Sequence, residues 1–169
     1  MMSGKFSEAG PTLPANKKQL AKRAFLTAAL VCCIAFIFSN SMENGVQSSA
    51  RSGSATEFIN SLLEEIGMGP VTEHMIRKTA HFLEYALEGC LLLLVLWAYG
   101  LSLLRYFGWG LLGGVLTALT DESIQLFSSG RSGQVADVWI DTGGVLWGML
   151  VMAVLVSVFS AKRRTRSLK

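Results

Sequence analysis

Charged residues are scarce in this chain, 16% of 169 positions, and the scarcity excludes most soluble folds of this length. With 51% hydrophobic residues and a mean hydropathy of +0.43, one small soluble domain could not hide its apolar surface. Cysteine is also sparse. Cys32, Cys33 and Cys90 lie inside apolar runs with no Cys-x-x-Cys spacing, which excludes a disulfide framework and a cysteine metal site and leaves small core side chains. No basic patch interleaved with aromatics is present, so nucleic acid is excluded as a partner, and no repeat recurs at solenoid period.

The apolar residues are gathered into runs. A helix that crosses a bilayer needs ~20 mostly apolar residues, and four stretches qualify: roughly Ala24–Ser41, Thr79–Gly100, Phe107–Phe127 and Val138–Phe159. The basic leader and short first run resemble a cleaved signal peptide, but its removal would leave three spans. The expected fold is all-α, an integral membrane four-helix bundle with a short outer amphipathic helix. A four-span membrane domain over residues 23–160 is expected between a disordered N-terminal tail (1–22) and a basic tail (161–169). The amphipathic helix is expected to open on the capping box Ser54-Ala-Thr-Glu57, carry Phe58, Ile59, Leu62, Leu63 and Ile66 on one face, and stop at Gly67. Thr72 is the expected start of the second span.

Charge asymmetry sets the orientation. In a four-span arrangement, 11 of the 15 basic residues and one acid fall on the side of the termini, against 4 basic and 11 acidic residues on the other. The positive-inside bias then places both termini in the cytoplasm of a bacterial cytoplasmic membrane, and the basic balance reports topology and contact with anionic lipid.

Against this background three polar sets stand out: Lys78–His81–Glu84–Tyr85, Asp121–Glu122–Gln125 and Arg131–Asp137–Asp141. Each begins or ends an apolar run, where an ionisable group costs ~2.5–3.5 kcal/mol on insertion scales unless paired. His74, Lys78, His81, Tyr85 and Glu88 step by +4, +3, +4, +3 and share one helix face, flanked by Arg77 and Glu84. Gly110, Gly114, Thr117 and Asp121 step by +4, +3, +4, and Asp137, Asp141, Gly144 and Gly148 repeat that spacing in the opposite direction. The last two spans are therefore expected to pack through their glycines and to open a carboxylate-lined gap at the far end. Arg131, in the tight turn between them, would reach Asp121, Glu122, Asp137 or an incoming anion. Each group also has a bland reading: Arg131 and Lys78 would neutralise acids so that loops dock, Tyr85 would sit in an interfacial aromatic belt, Glu88 would be a lone buried acid, and His74 would be solvated.

Three segments together, Arg77-Lys-Thr-Ala-His-Phe-Leu-Glu-Tyr85, Leu119-Thr-Asp-Glu-Ser-Ile-Gln-Leu-Phe127 and Gly130-Arg-Ser-Gly-Gln-Val-Ala-Asp-Val138 with Asp141-Thr-Gly-Gly144, resemble the VanZ family of bacterial membrane proteins over roughly residues 25–155. The resemblance implies that Lys78, His81, Glu84, Tyr85, Glu122, Gln125, Arg131 and Asp137 are family-marking residues. Glu88 departs from the apolar residue expected there, and Asp141 stands where other members often have asparagine. The resemblance also implies cell-envelope biology and, through a founding member associated with teicoplanin resistance, tolerance of glycopeptide antibiotics. It supplies no reaction.

Two functions from different classes follow. One is an outward-facing enzyme or binder of an anionic envelope component, lipid-linked or phosphate-bearing. His81 would be its general base or metal ligand with Glu84 or Glu122 as partner, and Arg131 and Lys78 would hold the anion. His81, Glu84, Glu122 and Asp137 could ligate a divalent cation, but spacing does not separate a metal from ion pairs. The other is a non-catalytic accessory or scaffold protein of the envelope. A transporter fits less well, because the ionisable groups occupy one half of the bilayer.

Overall fold

In the computed structural model the described residues are 16–166, with side chains to residue 160. They form five helices and, among the described residues, no strand: α1 (Lys17–Met42), α2 (Gly45–Glu65), α3 (Glu73–Ala98), α4 (Leu103–Gln125) and α5 (Val135–Arg166). α1, α3, α4 and the first 26 residues of α5 are long and apolar enough to cross a membrane.

The helix boundaries follow from local capping chemistry. α1 starts seven residues before its apolar run because Asn16 accepts the Lys18 amide while the Gln19 side chain accepts the Asn16 amide, a reciprocal capping box. Residues 17–22, expected in a disordered tail, are thus the first turns of α1; residues 1–15 lie outside the described residues. Arg23 ties this end to α3 by donating to the Ala98 carbonyl at 3.0 Å, and Lys22 stands 3.3 Å over the Trp97 ring. At the other terminus the expected tail from residue 161 begins inside α5, whose backbone stays helical to Arg166.

α2 is longer than expected. It opens at Asn44, whose side chain accepts the Gln47 amide, so Ser54 is no cap and donates back to the Ala50 carbonyl within the helix. The stop at Gly67 is as expected: φ is +72°, and the Gly67 and Met68 amides close onto Glu64 and Leu63. Asn60 pins the return by bonding both the amide and the carbonyl of Val71. Thr72 then caps α3 through the Met75 amide, also as expected.

α3 and α5 form the closest helix pair. A Cβ at Gly148 would collide with the Ala86 carbonyl, one at Gly144 with that of Phe82, and one at Gly89 with that of Val145. The glycines of α5 therefore face α3, a correction to the expected α4–α5 seam. Gly110 and Gly114 of α4 do meet α5, but through the side chains of Met149 and Val145. Spacing revealed the groove on α5 but not which neighbour fills it. Ile37, Tyr85, Leu93, Ala118, Val145 and Met149 make the apolar core, and the polar sets collect at the bundle end where α2 sits.

Candidate functional site

The α4 end supplies three buried polar side chains, Asp121, Glu122 and Gln125. Gln125 holds them together: its Nε2 donates to Asp121 Oδ2 and Glu122 Oε1, each at 3.1 Å, and lies 3.4 Å from Ser41 Oγ of α1. The second Glu122 oxygen accepts the Gln134 amide at 2.7 Å, immediately before α5. A carboxylate there satisfies an amide of the next helix and complements its dipole.

α3 faces this cluster with the stripe its spacing predicted. Lys78 Nζ pairs with Asp137 Oδ1 at 2.9 Å. His81 points Nδ1 inward, 3.9 Å from Asp141 Oδ1, too long for a hydrogen bond. Tyr85 is fully buried and its hydroxyl has no hydrogen-bond partner among the described residues; Glu88, Asp121 and Asp141 are as deeply buried. Glu84 turns instead to α1, accepting from Asn40 Nδ2 at 3.0 Å. His74 is exposed, in keeping with a solvated histidine.

A cleft of about 270 Å³ opens beside the stripe, between α1, α2 and α3. Its polar wall is Arg51, Arg77, Arg131, His81, Glu84 and Asn40, and its apolar wall includes Phe36, Ala55 and Ile76. A smaller cavity of about 120 Å³, with Gln125 and Gln134 in its wall, shares Arg77 and Arg131 with the cleft. Arg51 Nη1 bonds Asn40 Oδ1 and Glu43, and Arg131 Nη1 donates to the Asn40 carbonyl at 2.9 Å. Each of these two guanidiniums is thus tethered by one nitrogen, with further N–H donors to offer. Burial pushes the Arg131 guanidinium below its ordinary value, and Asp121 draws it back up; it remains a cation.

Several expected pairings are corrected. Arg131 bonds a backbone carbonyl of α1, not Asp121, Glu122 or Asp137; Gln125 bonds one oxygen of each of the first two, Gln134 bonds Glu122, and Lys78 pairs with Asp137. The histidine's near carboxylates are Asp121 and Asp141, not Glu84 or Glu122, and a ligand atom from each of His81, Asp121 and Asp141 lies within 4.8 Å of the other two. Spacing missed Asn40, Ser41 and Arg51, which enter from α1 and α2. A signal for Arg51 existed, since no other basic residue lies between Arg23 and Arg77.

Comparison with protein families finds a match over residues 25–156 to the family described as VanZ/LLP1. No curated protein and no solved structure matches the chain.

Proposed function

Because the chain belongs to the VanZ/LLP1 family of membrane proteins, we propose that its cleft binds an anionic cell-envelope component borne on a lipid. The observation that carries this reading is the meeting of Arg51, Arg77 and Arg131 on one wall of a cleft. With Lys78, these are all the basic residues that the charge count assigns to the side away from the termini. Guanidinium forks suit phosphate or carboxylate. The apolar wall, with Phe36 57% exposed, suits an acyl or prenyl chain entering sideways from the bilayer.

In this reading both termini are cytoplasmic and the cleft faces outward, following the positive-inside bias. The family-marking polar residues form the floor and walls: Lys78, Asp137 and Gln125 hold the frame, and His81, Glu84 and Arg131 meet the ligand. A contribution to glycopeptide tolerance would follow from holding or altering that envelope component. The alternative, a non-catalytic accessory protein, draws on the exposed apolar side chains of α2, Val46, Phe58 and Leu62, which would dock on a partner.

The test is binding of a long-chain lipid phosphate and of the matching neutral alcohol by the full chain in detergent, followed by native mass spectrometry. The phosphate should bind at least tenfold better, and the paired change Arg51→Gln with Arg77→Gln should erase the difference while the protein stays monodisperse. Equal binding of phosphate and alcohol by the unmodified chain would end this reading and favour the accessory role.

A further inference from the structure

Beneath the cleft lies a second arrangement, of which anion binding uses only the edge of His81. His81, Asp121 and Asp141 come from α3, α4 and α5 and converge within 4.8 Å. Both aspartates are fully buried. His81 Nδ1, Asp121 Oδ1 and both oxygens of Asp141 are buried and, among the described residues, accept or donate no hydrogen bond. Elsewhere in the polar cluster Glu122 takes Gln125 and Gln134, Glu84 takes Asn40, and Asp137 pairs with Lys78, whereas Glu88, a lone acid two helical turns away, is also buried without a partner among the described residues. What sets this group apart from Glu88 is convergence: among the described residues, orphaned oxygens of two acids from different helices face a histidine nitrogen here. Buried acceptors are almost always satisfied, so an orphaned set in this geometry signals an absent cationic partner.

We infer that His81, Asp121 and Asp141 bind a divalent first-row metal ion, with zinc the best fit. One imidazole and two carboxylates suit zinc, and three protein ligands leave a fourth position open. Ligand atoms around a tetrahedral zinc, each about 2.1 Å from the ion, stand about 3.4 Å apart. The 3.9 Å between His81 Nδ1 and Asp141 Oδ1 needs to close by about 0.5 Å to meet that spacing, and the other pairs, within 4.8 Å, by at most about 1.4 Å. His81 also lines the cleft, so its ring joins the metal position to the anion wall. Gln125 orients Asp121 from behind through Oδ2, leaving Oδ1 for the ion. The assignment goes beyond the proposed anion binding and does not require it.

The experiment uses the full chain in detergent, stripped with a chelator and titrated with Zn²⁺ in buffer without phosphate or added lipid. One ion per chain is expected by calorimetry and elemental analysis. Asp141→Asn and His81→Ala should each weaken binding by more than the ~10–100-fold typical of outer-sphere changes. Glu88→Gln, two helical turns further along α3, should keep wild-type affinity. If the site variants fail to accumulate, Co²⁺ titration of the unmodified chain decides. Visible bands saturating at one ion and abolished by Zn²⁺ support the site, and a featureless titration overturns it. No binding by a folded wild-type chain, or equal loss in Glu88→Gln, also overturns it. Because no anion is present, Zn²⁺ binding without lipid-phosphate binding would end the anion reading alone, and the converse would end this one.

Discussion

At the scale of single residues, Glu122 joins the end of α4 to the start of α5. One of its oxygens meets Gln125 on its own helix and the other meets the Gln134 amide before α5. Glu122→Gln keeps the shape but removes the charge and one acceptor, so the amide bond weakens at a buried position. A loss of about 1–2 kcal/mol is expected for a charge-assisted bond of this kind. In detergent the melting temperature should fall by roughly 3–6 °C, whereas Ser123→Ala, exposed on the same turn, should leave it within error. At this scale the sequence was legible wherever residues share a helix: the stripe from Lys78 to Glu88 and the trio Asp121, Glu122 and Gln125 follow from a 3.6-residue period. It was silent on Asn40, whose side chain bonds Glu84, 44 positions away, and whose carbonyl bonds Arg131, 91 positions away. No local pattern encodes contacts over such separations.

At the scale of elements, stability rests on how closely α3 and α5 approach. Gly148→Ala would drive a methyl into the Ala86 carbonyl, and backbone cannot swing aside as a side chain can. We expect a marked loss of thermal stability in detergent. Gly108→Ala, on α4 with open space around it, should be neutral or should stabilise by about 0.5–1 kcal/mol through helix propensity. A matching effect of the two changes would refute the close-packed seam. α2 depends on a different contact. The Gly45 amide bonds the Ser129 carbonyl at 2.9 Å, and a Cβ at Gly45 would strike Gly130. Gly45→Ala should lift α2 from the α4–α5 turn and move Arg51 off the cleft wall. Lipid-phosphate affinity should then drop at least tenfold while the other four helices retain their protection from hydrogen exchange. The extent of α2 was not legible, because a Ser- and Gly-rich stretch has weak helix propensity and only tertiary contacts, with Ser48 and Ser52 buried, hold it helical. The start of α1 was hidden differently: its capping box lies among polar residues that composition alone marks as tail.

At the scale of the molecule, the four spans were legible because hydropathy over ~20 residues is a strong signal. Their pairing was not, since glycine spacing marks a groove without naming its occupant. Orientation is open to direct measurement. Single cysteines introduced as Ala50→Cys and Thr165→Cys should react with an impermeant reagent from opposite sides of the membrane, residue 50 from outside. Reaction from one side for both would overturn the four-span topology and the outward cleft together. The bonds made by Glu122 also bear on how the chain is built during translation. α4 has the lowest hydropathy of the four spans, 1.2 against 1.5–2.1, and it carries Asp121 and Glu122 at its trailing end. Its partner amide at Gln134 leaves the ribosome twelve residues after Glu122. On its own, then, α4 is expected to be the weakest of the four spans to insert. We expect it to insert more readily once the start of α5 arrives to bind its carboxylate, so that the last two helices enter the bilayer together as a hairpin, and a truncation ending before Gln134 should leave α4 less completely inserted than the full chain.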